Sequence, residues 1–229
     1  ASKIVTVSQG VLTMLPAHPK FILIHNELPI EEKYPDLIKT SLASSTFLYL
    51  SNFMQGKGQN YALEAFARIH EKLPTWKLRF VGGDMGLKKN RIYKNQLQQL
   101  SKSLGIAEKI DWVGFTESVE KEYKLADIVL NFSESESFSI TCLEALYFGK
   151  PLIATDCGGP AEIIDQGESG ILVKNKNVDS MSDAMLLLAQ NRELQGKFSA
   201  EGKKRSRNKF SVEQTSYRLR DIYNSISKA

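Results

Sequence analysis

The chain has little of what would make it disulfide-stapled, metal-held or membrane-spanning. Two of its 229 residues are cysteine, Cys142 and Cys157, each inside an apolar stretch with no CxxC spacing and no histidine nearby. That usage excludes a disulfide framework or a zinc site as the organising device, and a reducing, cytoplasmic setting is expected. No stretch reaches the roughly 18 consecutive apolar residues of a spanning helix, and no charged-then-apolar leader opens the sequence, so a soluble chain is expected. The excess of one charge sign over the other is also small, with 30 Lys and Arg against 26 Asp and Glu. A formal net charge of +4 is too small to name a partner.

Much of that surplus sits in "GKKRSRNKF", Gly202 to Phe210. The plainer reading is the solvated end of a surface helix; the alternative is a patch for anionic lipid, and with it a peripheral membrane contact. A nucleic-acid partner is not expected, because aromatic residues are not interleaved with the charges as stacking platforms. The three histidines, His18, His25 and His70, have no partner pattern and read as surface or packing residues.

Several chemistries are missing their motifs. "VGGDMG" lacks the G-x-G-x-x-G spacing of a dinucleotide site, and no acidic residue ends a second strand to contact a ribose there. "GKG" lacks the earlier glycine and the following Ser or Thr of a phosphate-binding P-loop, and no G-x-S-x-G marks a hydrolase nucleophile. Glu134, Glu136 and Glu144 offer paired carboxylates, but a glycosidase pair is defined by its separation across a sugar. No internal repeat or low-complexity tract is visible.

What is present is an alternation. Short runs rich in Val, Ile, Phe and Leu ("KIVTVS", "KFILIH", "TFLYLS", "WKLRFVG", "KIDWVG", "DIVLNF", "PLIAT", "GILV") read as strands. Helical patterns lie between most of them. The one after "GKGQN" sets Ala62, Ala65, Phe66, Ile69 and Leu73 on one face before Pro74 stops it. Others are "NRIYKNQLQQLSKSLG", "ESVEKEYKLA", "SITCLEALYFG" and "PAEIIDQ", and roughly the last forty residues look wholly helical. Trp76 and Trp112 read as core. The order implies right-handed crossovers, hence an α/β fold with a doubly wound, Rossmann-like parallel sheet. Ligands of such sheets bind beyond the carboxyl ends of the strands, where strand order reverses. The segments to inspect are therefore "NFMQGKGQN", "GGDMG", "GFTES", "SESESFS" and "DCGGPAE". Gly158 and Gly159 in the last of these make a turn that points at the same crevice.

Glu144 is the odd residue. In a helix starting near Ser139, spacing puts Ile140, Leu143, Glu144 and Tyr147 on the core-facing stripe. A lone carboxylate there would cost several kcal/mol, so Glu144 is expected at a pocket wall or against a partner. The helix start offers free N–H groups at Ser139, Ile140 and Thr141, with about half a unit of positive dipole charge, an anion site suited to a diphosphate. Glu144, more than one turn in, then suits a ribose diol. Glu136 lies toward the ligand's other end, and Lys57 after another strand supplies a cation for the phosphates.

These residues carry a resemblance. Glu136 and Glu144 stand in an E-x7-E relation, followed by "ALYFGKPLIATDCGGPAEIIDQGESGILV" and preceded at a distance by "GKGQNYALEAF". From about Thr46 onward this is similar to the C-terminal, nucleotide-sugar-binding domain of the retaining glycosyltransferases of the GT-B fold (group 1, family 4 type), relatives of glycogen and sucrose synthases. The resemblance implies that Glu144 holds the ribose, Glu136 approaches the sugar hydroxyls and Lys57 binds the diphosphate. It implies that the amides of Phe138, Ser139 and Ile140 cradle the phosphates, and that the loops at Gly82 and Phe115 flank the base. It also implies a UDP- or GDP-sugar as donor substrate, no metal cofactor, and a saccharide or lipid-linked acceptor.

Two departures stand out. Asn52 occupies the position five before the lysine where the family usually has arginine, and Ser139 replaces the usual glycine, a mild change if its hydroxyl caps the helix. Residues 1–45 resemble the end of the N-terminal acceptor domain and a linker, and residues 46–229 the donor domain with its C-terminal helices. On that reading the chain is an excised half, in keeping with its opening Ala, that binds donor without turning it over. Two alternatives remain at this point: a nucleotide-sugar-binding module without catalysis, and a nucleotide-sugar epimerase on the same fold.

Overall fold

Six strands form one sheet, in the computed structural model that describes residues 3–28 and 45–227. They are β3 (Ser45–Leu50), β4 (Trp76–Val81), β5 (Ile110–Val113), β6 (Ile128–Asn131), β7 (Leu152–Thr155) and β8 (Ile171–Val173). Their spatial order is β5-β4-β3-β6-β7-β8, and every neighbouring pair is parallel. This is the doubly wound α/β sheet that the alternation implies. Two further strands, β1 (Ile4–Thr6) and β2 (Phe21–Leu23), pair in parallel in a sheet of their own. Most of the connector stretch "ELPIEEKYPDLIKTSLASS" lies outside the described residues.

Side-chain alternation along the strands builds a core on each face. Phe47 and Tyr49 of β3 join Ile128 and Leu130 of β6 on one side. There they meet α2 (Gln59–Ile69), α3 (Lys88–Ser103) and α7 (Val178–Gln190). Leu48 and Val129 point to the other side, against α4 (Val119–Leu125), α5 (Ile140–Tyr147) and α6 (Gly159–Ile163). The apolar stripe read for α2 is buried as expected, with Ala62, Ala65, Phe66 and Ile69 all at most 4% exposed. Trp76 is buried, and Trp112 stacks on Phe80 at 4.9 Å.

Some elements differ from the sequence reading. A short helix, α1 (Gln9–Thr13), follows β1, capped by Ser8 through its contact with the Val11 amide. The C-terminal region is not one helical run. Asn191 both ends α7 and caps α8 (Arg192–Lys209), and Phe210 leaves helical geometry before α9 (Val212–Ser227). The "PAEIIDQ" helix stops early, since Ile164 is extended with ψ of 137°.

The basic stretch at the end of α8 is partly spent inside the fold. Arg205 Nε donates to the Ile163 carbonyl at 2.6 Å, and Lys209 donates to the Glu162 carbonyl at 3.0 Å. Both cations thus sit on the last carbonyls of α6, where the helix end is negative. Burial, with Arg205 nearby, pulls the Lys209 ammonium below its usual value.

Candidate functional site

Strand order reverses between β3 and β6, so the loops leaving their carboxyl ends open a crevice. The two loops are residues 51–58 and 132–139. Buried Tyr49 ties them together: its hydroxyl donates to the Lys57 carbonyl at 2.5 Å and accepts from the Phe132 amide at 2.8 Å. Lys57 Nζ lies 2.7 Å from Glu136 Oε1, and the Ser133 hydroxyl donates to the same oxygen at 2.7 Å. The lysine side chain is 26% exposed and the glutamate 14%, so this pair is less screened than a surface ion pair. Two residues 79 apart in sequence therefore meet in the crevice.

A cavity of about 300 Å³ opens beside the pair. Asn52, Lys57, Gly82 and Phe115 line it, together with Thr141 from the first turn of α5 and Val119 from α4. Phe115 is 77% exposed, an aromatic ring standing free at the rim. Gly82 adopts φ of 154°, and a Cβ there would lie 2.1 Å from the Ser51 carbonyl oxygen. Only glycine lets the β3 and β4 ends approach so closely. Asn52 braces the same junction, its Oδ1 accepting from the Gly83 amide at 3.2 Å and its carbonyl from Gln59 Nε2 at 2.8 Å.

Ser139 caps α5 from an unusual backbone state. Its φ is 85°, in the left-handed region that favours glycine. The hydroxyl accepts from the Cys142 amide at 3.4 Å and from Asn131 Nδ2 at 2.9 Å. The capping condition set for the serine is met. For the amides of Ile140 and Thr141, no acceptor is found among the described residues.

The predicted stripe of α5 is rotated. Cys142, Leu143, Ala145 and Leu146 are buried, whereas Ile140 is 40% exposed and Tyr147 only half-buried. Of the apolar residues at i, i+3 and i+7 only Leu143 is buried, because the sheet takes the Cys142 and Ala145 side of the helix instead. Glu144 falls at the margin of the buried face, and the partner expected for it is Tyr123 of α4, whose hydroxyl donates to Oε2 at 3.0 Å. Burial raises the Glu144 carboxyl above its ordinary value, and the Tyr123 hydroxyl draws it partly back.

Phe138 is buried, so only its backbone is available to a ligand in the crevice. Its ring stacks on His25 at 5.6 Å, and His25 Nε2 lies 2.9 Å from Glu162 Oε2. Glu162 also accepts from the amides of Gln9 and Gly10, at 2.9 Å each. His25 is thus a packing residue, one of the two roles expected for it, and it also has a carboxylate partner 137 residues away that no sequence pattern marks. Glu134 turns away from the pair, to Lys176 at 2.6 Å and Tyr61 at 3.0 Å. The sequence reading also missed Tyr49, Tyr123 and Ser133. Tyrosines inside apolar runs look like ordinary core residues, and only the partner of the hydroxyl distinguishes them.

The site thus combines a loop pair at the switch point of the sheet, a lysine–glutamate contact and a capped helix mouth. Residues 32–205 match the glycosyl transferases group 1 family. The chain belongs to that family. It is 30% identical over 171 residues to an exopolysaccharide phosphotransferase of Streptomyces coelicolor, covering 74% of the chain and 17% of that protein. It is 27% identical over 196 residues to an uncharacterized glycosyltransferase of Haemophilus influenzae, covering 84% of the chain and 53% of that protein. Its fold is similar to that of the Anabaena protein HepE, solved in complex with UDP and glucose. That likeness has a TM-score of 0.86 at 19% identity, over 98% of this chain and 63% of HepE. The chain spans about half the length of the Haemophilus relative and a smaller share of the Streptomyces one.

Proposed function

We propose that this chain is the donor half of a retaining glycosyltransferase that binds a UDP- or GDP-linked sugar and serves transfer to a saccharide or lipid-linked acceptor. The observation that carries the reading is the convergence of Lys57 and Glu136 at 2.7 Å beside the mouth of α5. In this reading the diphosphate settles between the Lys57 ammonium and the opening amides of α5. A dipole and a cation fixed in advance stabilise the charge that grows on the leaving diphosphate. Glu136 turns to the sugar hydroxyls and Glu144 to the ribose, while Phe115 and the Gly82 turn flank the base. The diphosphate itself draws the acceptor proton, without a metal.

Residues 1–45 are proposed to end an acceptor domain supplied by a longer protein, with residues 46–229 as the donor domain. The partial coverage of the relatives supports this, as does α9, which buries none of its residues and exposes Tyr217, Tyr223 and Ile226. Activity of the 229-residue chain alone is therefore expected to be absent. A cytoplasmic setting belongs to the same proposal and is supported by the two free cysteines.

Calorimetric titration with UDP, GDP and their sugars tests the reading. One nucleotide should bind in preference, and Glu144→Ala should weaken it by about tenfold or more, the worth of hydrogen bonds to a charged acceptor. No binding of any of them would overturn the proposal. Asn52 favours a second reading, a binding module without catalysis, because it puts a neutral brace where the family carries a cation. Asn52→Arg in the full-length enzyme, if it leaves donor affinity and rate unaltered, removes that reading's support.

A further inference from the structure

Tyr123 is buried in α4, one turn after the cavity-lining Val119. Its ring is held by stacking on Phe148, with centroids 4.8 Å apart. The hydroxyl reaches Glu144 Oε2 at 3.0 Å and the Thr141 carbonyl at 3.2 Å. A phenol has one proton to give, and the charged oxygen is the stronger acceptor. Glu144 Oε1, by contrast, has no partner among the described residues. A half-buried carboxylate thus has one oxygen held by a buried, stacked donor and the other left over.

We infer that Tyr123 is a positioning residue that holds Glu144 as a fixed acceptor for pentose hydroxyls, so that the site selects ribose over deoxyribose nucleotides. This rests on the donor reading above. The physical reason is that a pocket built around a hydroxyl discriminates only if its acceptor cannot relax. When the hydroxyl is missing, a held carboxylate is left short of a hydrogen bond, whereas an unheld one turns to water or takes up a proton. Tyr123 removes both escapes: its hydrogen bond fixes the rotamer and favours the ionised form.

Tyr123→Phe keeps the ring and deletes only the hydroxyl, and two measurements on this chain read the consequence. In nucleotide-free protein, carbon-13 NMR titration of the Glu144 carboxyl should show a higher midpoint in the variant than in the wild type, because Tyr123 is the titratable partner that lowers it. An unchanged midpoint overturns the contact. By calorimetry the wild type should prefer UDP to 2′-deoxy-UDP, with GDP and 2′-deoxy-GDP as the parallel pair, and Tyr123→Phe should shrink that preference by about fivefold to tenfold. Equal weakening of both nucleotides would mean lost packing and would overturn the positioning role. If the wild type binds neither nucleotide, the donor reading falls and ribose selection with it, while the NMR midpoint still judges the Tyr123–Glu144 contact by itself.

Discussion

Lys57 enters any encounter with a phosphate already engaged. Glu136 Oε1 takes its ammonium at 2.7 Å and shares that oxygen with the Ser133 hydroxyl, so the glutamate occupies the cation as an internal anion would. On the proposed donor reading, a diphosphate competes with it. Lys57→Ala should therefore weaken UDP binding by about tenfold or more, the usual loss of a charge-assisted contact. Glu136→Gln should leave UDP affinity unchanged or raise it up to about fivefold, the worth of a partly exposed ion pair. Titration of both variants decides the matter, and weaker UDP binding in Glu136→Gln would show that the glutamate holds the loop rather than restraining the lysine.

At the scale of elements, the β6–α5 loop is held from two directions. The Gly159 amide donates to the Glu136 carbonyl at 2.8 Å, and a Cβ at Gly159 would lie 2.2 Å from the Phe138 carbonyl oxygen. Backbone on both sides of that contact leaves no flexible side chain to move aside. Gly159→Ala should cost about 1–3 kcal/mol, as overpacking does, measured by urea unfolding, and should also weaken nucleotide binding because the loop moves. On the other side, the His25–Phe138 stack joins this loop to the segment after β2. The short α1 depends on α6 in a similar way, since Glu162 accepts from its opening amides. Neither link runs along the chain, so periodicity shows neither the contact of α1 with α6 nor a role for His25.

For the molecule as a whole, acid should loosen the fold through Glu162. Burial works against its charge, but the Gln9 and Gly10 amides and His25 prevail and hold its carboxyl below the ordinary 4.5. A carboxyl lowered in the folded state contributes stability above that ordinary value and loses it as the pH falls through the folded one. Glu162→Gln should then be less stable at neutral pH and show a shallower acid limb in thermal melts followed by circular dichroism. Glu144 has the opposite sign: its raised carboxyl costs stability as the pH rises through the carboxylate range, a cost that bound nucleotide should offset.

By itself the sequence determined the kind of sheet, because strands that alternate with amphipathic helices pack as a parallel sheet covered by those helices. It also marked Lys57, Glu136 and Glu144, since charged residues in loops after strands, or on an apolar helix stripe, demand an explanation. Tertiary structure alone decided which of them meet and what holds them. The Lys57–Glu136 contact depends on β3 and β6 being neighbours, the exposure of Ile140 on the rotation of α5 against the sheet, and the state of Glu144 on a tyrosine from α4. Each is a long-range contact whose energy lies in one hydroxyl, one ion pair or one packing angle. Such terms leave no period in the sequence, because nothing in the local chain repeats with them.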